Sequence, residues 1–181
     1  ITLVSARAGA RDLGAFDKAW AQSSGLREAF SRLARQGSGS SCRSLDGPWV
    51  GWGVGGNLEE VRTLTSGLPQ LAHFVIVVSE AEKPVSSSEA HSRVKSSPLW
   101  AGRVARVEKR LIDLQAALAI GSLRSVSRIA WTECWEMHSL FHTAEQPFTY
   151  WEPTTIKALK ALAPFVERDG VPPIVTLDAG P

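Results

Sequence analysis

The sequence predicts an α+β fold, and three observations carry that prediction. Apolar residues recur at helical spacing over 25–35, 99–120 and 122–143. Two short β-type runs, PWVGWGV at 48–54 and AHFVIVVS at 72–79, are bounded by turn-forming or polar residues. The helices cluster towards the C-terminal half instead of alternating with strands, which argues against a regular βαβ sheet.

Taken in order, ITLV at 1–4 has the composition of a short strand. A helix over 25–35 places Leu26, Phe30 and Leu33 on one face and stops at Gly37. The loop GSGSSCRS follows directly. PWVGWGV alternates bulky residues with glycines and reads as a strand entering a hairpin. Glycines 51, 53, 55 and 56 form a GxGxGG string, but no helix opens at its turn, so it is a weak phosphate-loop signal. AHFVIVVS is β-branched, aromatic and continuous, the pattern of a central buried strand.

Between Pro84 and Pro98 the chain is polar, and the run Ser86, Ser87, Ser88 with Glu89 after it suits a helix N-terminus. Over 99–120, Val104, Val107, Leu111, Leu114 and Leu118 share a face until Gly121 interrupts the helix. A second helix spans 122–143, and a third, 153–163, opens on Pro153. IVTLDAG at 174–180 reads as a strand ending on Asp178 and a glycine.

Composition narrows the function classes. With 181 residues, 44% hydrophobic and 21% charged, the chain is an ordinary globular length of one domain or a large piece of one. A formal charge of +2 gives no electrostatic footprint for nucleic acid. Cys42 and Cys134 make neither a disulfide framework nor a CxxC zinc pair, which predicts a reducing, cytoplasmic setting. No apolar run approaches the roughly 18 residues of a membrane helix. The opening ITLVSARAGARDL lacks the basic start and apolar core of a signal peptide. Starting at Ile1 and stopping at DAGP, the sequence reads as a fragment, or as a processed or partly observed chain.

Four places could carry chemistry. In the GSGSSCRS loop, glycines would let a backbone approach a phosphate, serines would donate to it, and Arg43 would supply a fork of charge. The same composition also makes a flexible linker. Asp178, at a strand end before Ala-Gly, is placed to face a cleft, although aspartates there also simply form turns. Ser86, Ser87 and Ser88 beside Lys83 could meet phosphate oxygens or only cap a helix. His138 and His142, one helical turn apart, could in principle bind zinc. They lack an HExxH pattern and a third ligand, and Trp131, Trp135 and Phe141 around them indicate helix packing, so no metal site is predicted.

Several of these segments together resemble one family. RLARQGSGSSCRSLDGPWVGW, FVIVVSEAEKPVSSSEAHSRVKSSPL, EMHSLFHTAEQPFTYWEPTT and TLDAGP are similar, in order, to the corresponding segments of diphosphomevalonate decarboxylases. These enzymes belong to the superfamily of galactokinase, homoserine kinase, mevalonate kinase and phosphomevalonate kinase (GHMP). The resemblance covers about residues 28–181, and the GSGSxCRS and DAGP pair is its specific part. It implies a GHMP-kinase-like two-layer fold, ribosomal protein S5 domain 2-like with a ferredoxin-like C-terminal part. Residues 1–70 would be the remainder of the N-terminal domain and 71–181 the C-terminal domain.

The implied reaction is ATP-dependent: mevalonate 5-diphosphate is phosphorylated at its 3-hydroxyl, then loses phosphate and carbon dioxide to give isopentenyl diphosphate. By the same resemblance, Asp178 would attend the tertiary hydroxyl and Arg43 would hold the substrate carboxylate. Ser38, Gly39, Ser40, Ser41 and Cys42 would bind substrate, by way of the diphosphate, and Ser87 or Ser88 would line the pocket. ATP with magnesium would be the cofactor set, and the family implies a cytoplasmic homodimer.

Departures accompany the resemblance. A KYWGK-type lysine motif and a GLASSAAG-type nucleotide loop do not occur, and residues 1–24 do not resemble the family's N-terminal half. Ala90 and His91 stand where the family has glycine and methionine. Alternative readings are therefore a phosphomevalonate decarboxylase, a mevalonate 3-kinase, or a non-catalytic homologue.

Overall fold

The computed structural model of the chain describes residues 22–38, 40–45, 49–53, 61–79 and 83–180. The strand expected at 1–4, Gly39, and glycines 55 and 56 lie outside them. The chain divides into two compact units, Ile1–Thr65 and Ser66–Pro181.

In the first unit, α1 spans Ser24–Gly37. Ser23 caps it, its hydroxyl accepting from the Leu26 amide at 3.1 Å. The helix closes where the Ser38 amide donates to the Ala34 carbonyl at 3.2 Å. Leu26 and Phe30 are half-buried as their spacing predicts, but Leu33 is 45% exposed. The buried stripe runs through Ser31 instead. A 3-10 turn over Ser41–Leu45 follows, with Cys42 wholly buried. The expected hairpin forms: β1 (Val50–Trp52) pairs antiparallel with β2 (Val61–Thr63), with Gly51 opposite Arg62. The Arg35 guanidinium lies 5.3 Å from the Trp52 ring centroid, fastening α1 to β1 through a cation–π contact.

The second unit is mostly helical. α2 (Ser87–Arg93) leads through 3-10 turns at Val94–Ser96 and Pro98–Trp100 into α3 (Arg103–Ala119). Then come α4 (Leu123–His142) and α5 (Pro153–Val166). The sequence explains their boundaries. The Ser86 hydroxyl accepts from the Glu89 amide at 3.2 Å, so the serine run does cap a helix. Gly121 adopts φ +70°, the left-handed turn that ends α3, and Ser122 caps α4. Pro153 opens α5 within a Glu152–Thr155 capping box.

Along α3, burial deepens from Val107, Leu111 and Leu114 to Leu118, whereas Val104 is 59% exposed. Its place at the start of the helix is taken by Arg103, buried in an ion-pair network with α4. Arg103 bonds Glu133 and lies 3.2 Å from Glu136; Arg106 reaches Glu136 at 2.8 Å; Arg110 reaches Glu133 at 2.7 Å and also pairs with Glu136.

One apolar cluster organises the end of this unit where Ala179 meets α2. Val85, Ala90, Val94, Leu140, Phe141 and Tyr150 are buried together, with Met137, Phe148 and Ala179 packed against them. Phe141, Phe148 and Tyr150 meet at centroid distances of 5.1–5.5 Å. Burying each large side chain contributes roughly 1.5–3 kcal/mol.

Two expected strands are not present. Residues 72–79 carry no ladder pairing, and Phe74, Val75, Ile76 and Val77 are 59–84% exposed rather than buried. Residues 174–178 likewise run as irregular chain. A strand is defined by its partner, and no neighbouring strand is found for either run among the described residues. β-propensity alone does not supply those hydrogen bonds.

Candidate functional site

The GSGSSCRS loop is a structured turn and not a linker. The Ser41 hydroxyl lies 2.6 Å from the Ala34 carbonyl and 2.7 Å from that of Ser38, and its amide donates to Ser38 at 3.0 Å. It thus gives the Ala34 carbonyl a second donor beside the Ser38 amide and satisfies the Ser38 carbonyl just past the end of α1. Cys42 faces inward. Ser38 is exposed and Ser40 half-buried. The Ser40 carbonyl accepts from both the amide of Arg43 at 3.2 Å and its Nε at 3.3 Å. This tethers the base of the guanidinium while the Arg43 side chain remains exposed. Of the residues predicted here, Ser38, Ser40 and Arg43 therefore present polar groups outward; Ser41 and Cys42 hold the turn together.

In the second unit, the structure joins two segments that the sequence reading treated apart. Lys83 Nζ donates to the Ser87 hydroxyl at 2.7 Å and to the Ala179 carbonyl at 3.1 Å. Ser87 is half-buried and Ser88 exposed. Next to Ala179, Asp178 is exposed, and its carbonyl accepts the Gly180 amide at 2.8 Å in a tight three-residue turn. Ala179 packs on the apolar cluster, so Asp178 projects from beside an anchored residue. Behind the serine run, Tyr150 donates its hydroxyl to the Val85 carbonyl at 2.8 Å. Ala90, at the family's glycine position, is fully buried, and His91 is exposed. Sequence reasoning set Lys83 beside the serines without giving it a role of its own, and it did not place Tyr150 at the site. The lysine's position beside three serines was the available signal.

The histidine pair packs among aromatics. His138 is wholly buried, 4.9 Å from Trp151 and 5.2 Å from Phe141, and neither ring nitrogen completes a hydrogen bond. Burial pushes its pKa down to about 4, His142 adds to the shift, and the nearby backbone of Leu177 and Asp178 and the Asp178 carboxylate oppose it. The imidazole is neutral at physiological pH. His142 meets the Thr149 hydroxyl at 3.2 Å, and burial lowers its pKa too. Among the described residues no helix is long and apolar enough to cross a membrane.

The described residues make an α+β scaffold in which a lysine ammonium bonds a serine hydroxyl and the backbone next to an exposed aspartate, a donor set chemically suited to phosphate oxygens. The comparisons narrow the class. Residues 73–181 match the family model described as mevalonate 5-diphosphate decarboxylase C-terminal domain, and residues 2–67 match the diphosphomevalonate decarboxylase-like N-terminal domain. The chain belongs to the diphosphomevalonate decarboxylase family, and its fold is that family's GHMP-type α+β fold. The N-terminal match corrects the expectation that residues 1–24 are unlike the family.

Among curated relatives, the diphosphomevalonate decarboxylase of Ganoderma lucidum is 29% identical over 165 residues, covering 84% of this chain and 41% of its own. That of Aspergillus fumigatus is 30% identical, covering 84% and 40%. Among solved structures, mevalonate diphosphate decarboxylase from Legionella pneumophila aligns with TM-score 0.75 and 38% identity, covering 86% of this chain and 48% of that one. The Enterococcus faecalis enzyme, described with a mevalonate diphosphate mediated ATP binding mechanism, aligns at TM-score 0.66 and 28% identity over 86% and 48%. A further structure is described as MDDEF in complex with MVAPP, AMPPCP and magnesium; it is 29% identical at TM-score 0.67, over 86% and 49%. The chain spans less than half the length of these relatives.

Proposed function

We propose that this chain serves ATP-dependent decarboxylation of mevalonate 5-diphosphate to isopentenyl diphosphate, in isoprenoid biosynthesis. The observation that carries the reading is the Lys83 ammonium bridging Ser87 and the residue after Asp178. It sets cationic and hydroxyl donors suited to phosphate oxygens on the backbone next to Asp178. In this reading Asp178 orients the substrate's 3-hydroxyl and accepts its proton. The Arg43 guanidinium takes the substrate carboxylate in a bidentate pair. Ser38 and Ser40, with loop amides from Gly39 to Cys42, take the diphosphate, and Ser87 or Ser88 lines the pocket. We read residues 1–70 as the remainder of the N-terminal domain and 71–181 as the C-terminal domain, in a cytoplasmic homodimer. The thiols of Cys42 and Cys134, both buried and neither in a disulfide, are compatible with a reducing compartment.

ATP is the phosphoryl donor the reaction requires, and Lys83 is the described cation best suited to its phosphates. Magnesium needs no three-residue protein cage here: phosphate oxygens and waters fill most of its shell. It would come with the nucleotide.

The test is coupled ADP and carbon dioxide release with mevalonate 5-diphosphate, mevalonate 5-phosphate and mevalonate as rival substrates. ADP and carbon dioxide in equal amounts from the 5-diphosphate support the proposal. Preference for the 5-phosphate, ADP without carbon dioxide, or no ADP from any of the three overturns it.

A further inference from the structure

His138 has a chemistry that packing does not account for. Its side chain is fully buried in α4, yet neither ring nitrogen completes a well-aligned hydrogen bond, although the Leu177 and Asp178 backbone lies within bonding reach. Most buried polar groups are bonded, and one that is not calls for a function. Trp151 covers one face of the ring at 4.9 Å with a 30° tilt, and Phe141 meets it edge-on at 5.2 Å. The neighbouring polar groups are the backbone of Leu177 and Asp178, the Asp178 carboxylate and His142. One turn earlier on the same helix face, Cys134 also faces the Leu177 backbone. The irregular segment that ends in Asp178 therefore runs over the Cys134–His138 stripe of α4. The segment is held at its start, where the Ser127 hydroxyl of α4 donates to the Pro173 carbonyl at 2.6 Å, and at its end by Ala179, so what lies beneath the stretch between sets its local direction.

We propose that His138 is a positioning residue: its buried imidazole steers the backbone at Leu177 and Asp178, and so the direction in which the Asp178 carboxylate projects. The neutral ring has one N–H donor and one acceptor, and aromatic walls leave it little freedom to turn. A hydrogen bond to the 177–178 backbone closes when the reacting group binds, as catalytic hydrogen bonds tighten on complex formation. The role rests on the reaction proposed above, but the contact itself does not.

Two kinds of measurement separate them. In His138→Phe, which keeps a buried ring and loses both nitrogens, kcat falls roughly 10- to 100-fold with KM for mevalonate 5-diphosphate nearly unchanged. The melting temperature does not fall, and His138→Gln recovers part of kcat. Amide hydrogen exchange in 174–180 quickens in His138→Phe with or without any turnover. Should the His138→Phe substitution prevent folding, the imidazole ¹⁵N spectrum of the unmutated chain decides. A single neutral tautomer at pH 7, its N–H protected from exchange on substrate addition, is expected. Full kcat in His138→Phe, unchanged exchange at 174–180, or an even mixture of tautomers overturns the proposal. If the parent releases no ADP but the exchange and ¹⁵N results hold, the proposed reaction fails and the positioning contact stands.

Discussion

Lys83 Nζ donates to the carbonyl oxygen of Ala179 across 96 positions of sequence, at 3.1 Å. The same ammonium donates to Ser87, so among the described residues two of its three donors are engaged and the third is open to an anion. Lys83→Met keeps the stem and removes all three donors. Turnover on mevalonate 5-diphosphate is expected to fall by roughly 10²-fold, the loss typical of one charge-stabilising donor. Steady-state ADP release checks it, and activity within twofold of the parent would remove Lys83 from the site.

Gly121 and Gly67 lie too close for a side chain between them. The Gly67 amide donates to the Leu118 carbonyl at 2.8 Å, and a Cβ on Gly121 would stand 2.5 Å from the Gly67 carbonyl oxygen. Gly121 also has φ +70°. Gly121→Ala combines overpacking with left-handed strain and is expected to cost about 2–4 kcal/mol. Gly37→Ala meets nothing within 4 Å and is expected to change stability by under about 1 kcal/mol. Urea unfolding of the two variants measures the contrast.

Protonation of His138 should weaken the fold on the acid side of neutrality. Its pKa is about 4 when folded, against 6.5 for an ordinary histidine, so between those values the unfolded chain binds more protons. Stability is therefore complete above about pH 6.5 and falls as pH drops towards 4, by up to about 3 kcal/mol for this group. His142, with its pKa also lowered, adds in the same direction. Urea midpoints across this range should slope for the parent and flatten in His138→Phe; equal slopes would assign the loss to other groups.

Glu136 holds the α3–α4 network together. Burial works to raise its pKa, but Arg106, Arg110 and Arg103 outweigh that and keep the carboxyl below its ordinary value. Glu136→Gln removes the charge that three arginines share and leaves buried Arg103 with Glu133 alone. The expected loss is about 2–4 kcal/mol, near what breaking a buried pair costs. Thermal unfolding tests it, and a melting temperature unchanged within a degree would show that Glu133 suffices.

The helices were legible because their signals are local: Gly37, Ser86, Gly121 and Pro153 mark ends through neighbours within a few residues. The hairpin at Val50–Trp52 was legible for the same reason. The runs at 72–79 and 174–178 were not, because a strand depends on a partner far along the chain that composition does not name. At the candidate site, Arg43, Ser87 and Asp178 stood out by motif. Lys83 and His138 were noticed as a neighbour of the serines and as half of a histidine pair, but their contacts were not legible, since one bonds Ala179 and the other is buried beneath 177–178. Ser41 and Cys42 share the loop's motif, yet their side chains shape the turn.

The Lys83–Ala179 and Tyr150–Val85 bonds close loops of 96 and 65 residues, whereas the α3–α4 ion pairs span 23–30. Short-range contacts form with less loss of chain freedom, so the helical hairpin is expected to assemble first and the chemical end afterwards. Under mild denaturant the order runs in reverse, and pulsed hydrogen exchange should find 85–90 and 177–180 open while α3 and α4 stay protected. Catalytic competence would then be lost before the protein has visibly unfolded, and inactivation would be an earlier and more sensitive reporter of damage than circular dichroism.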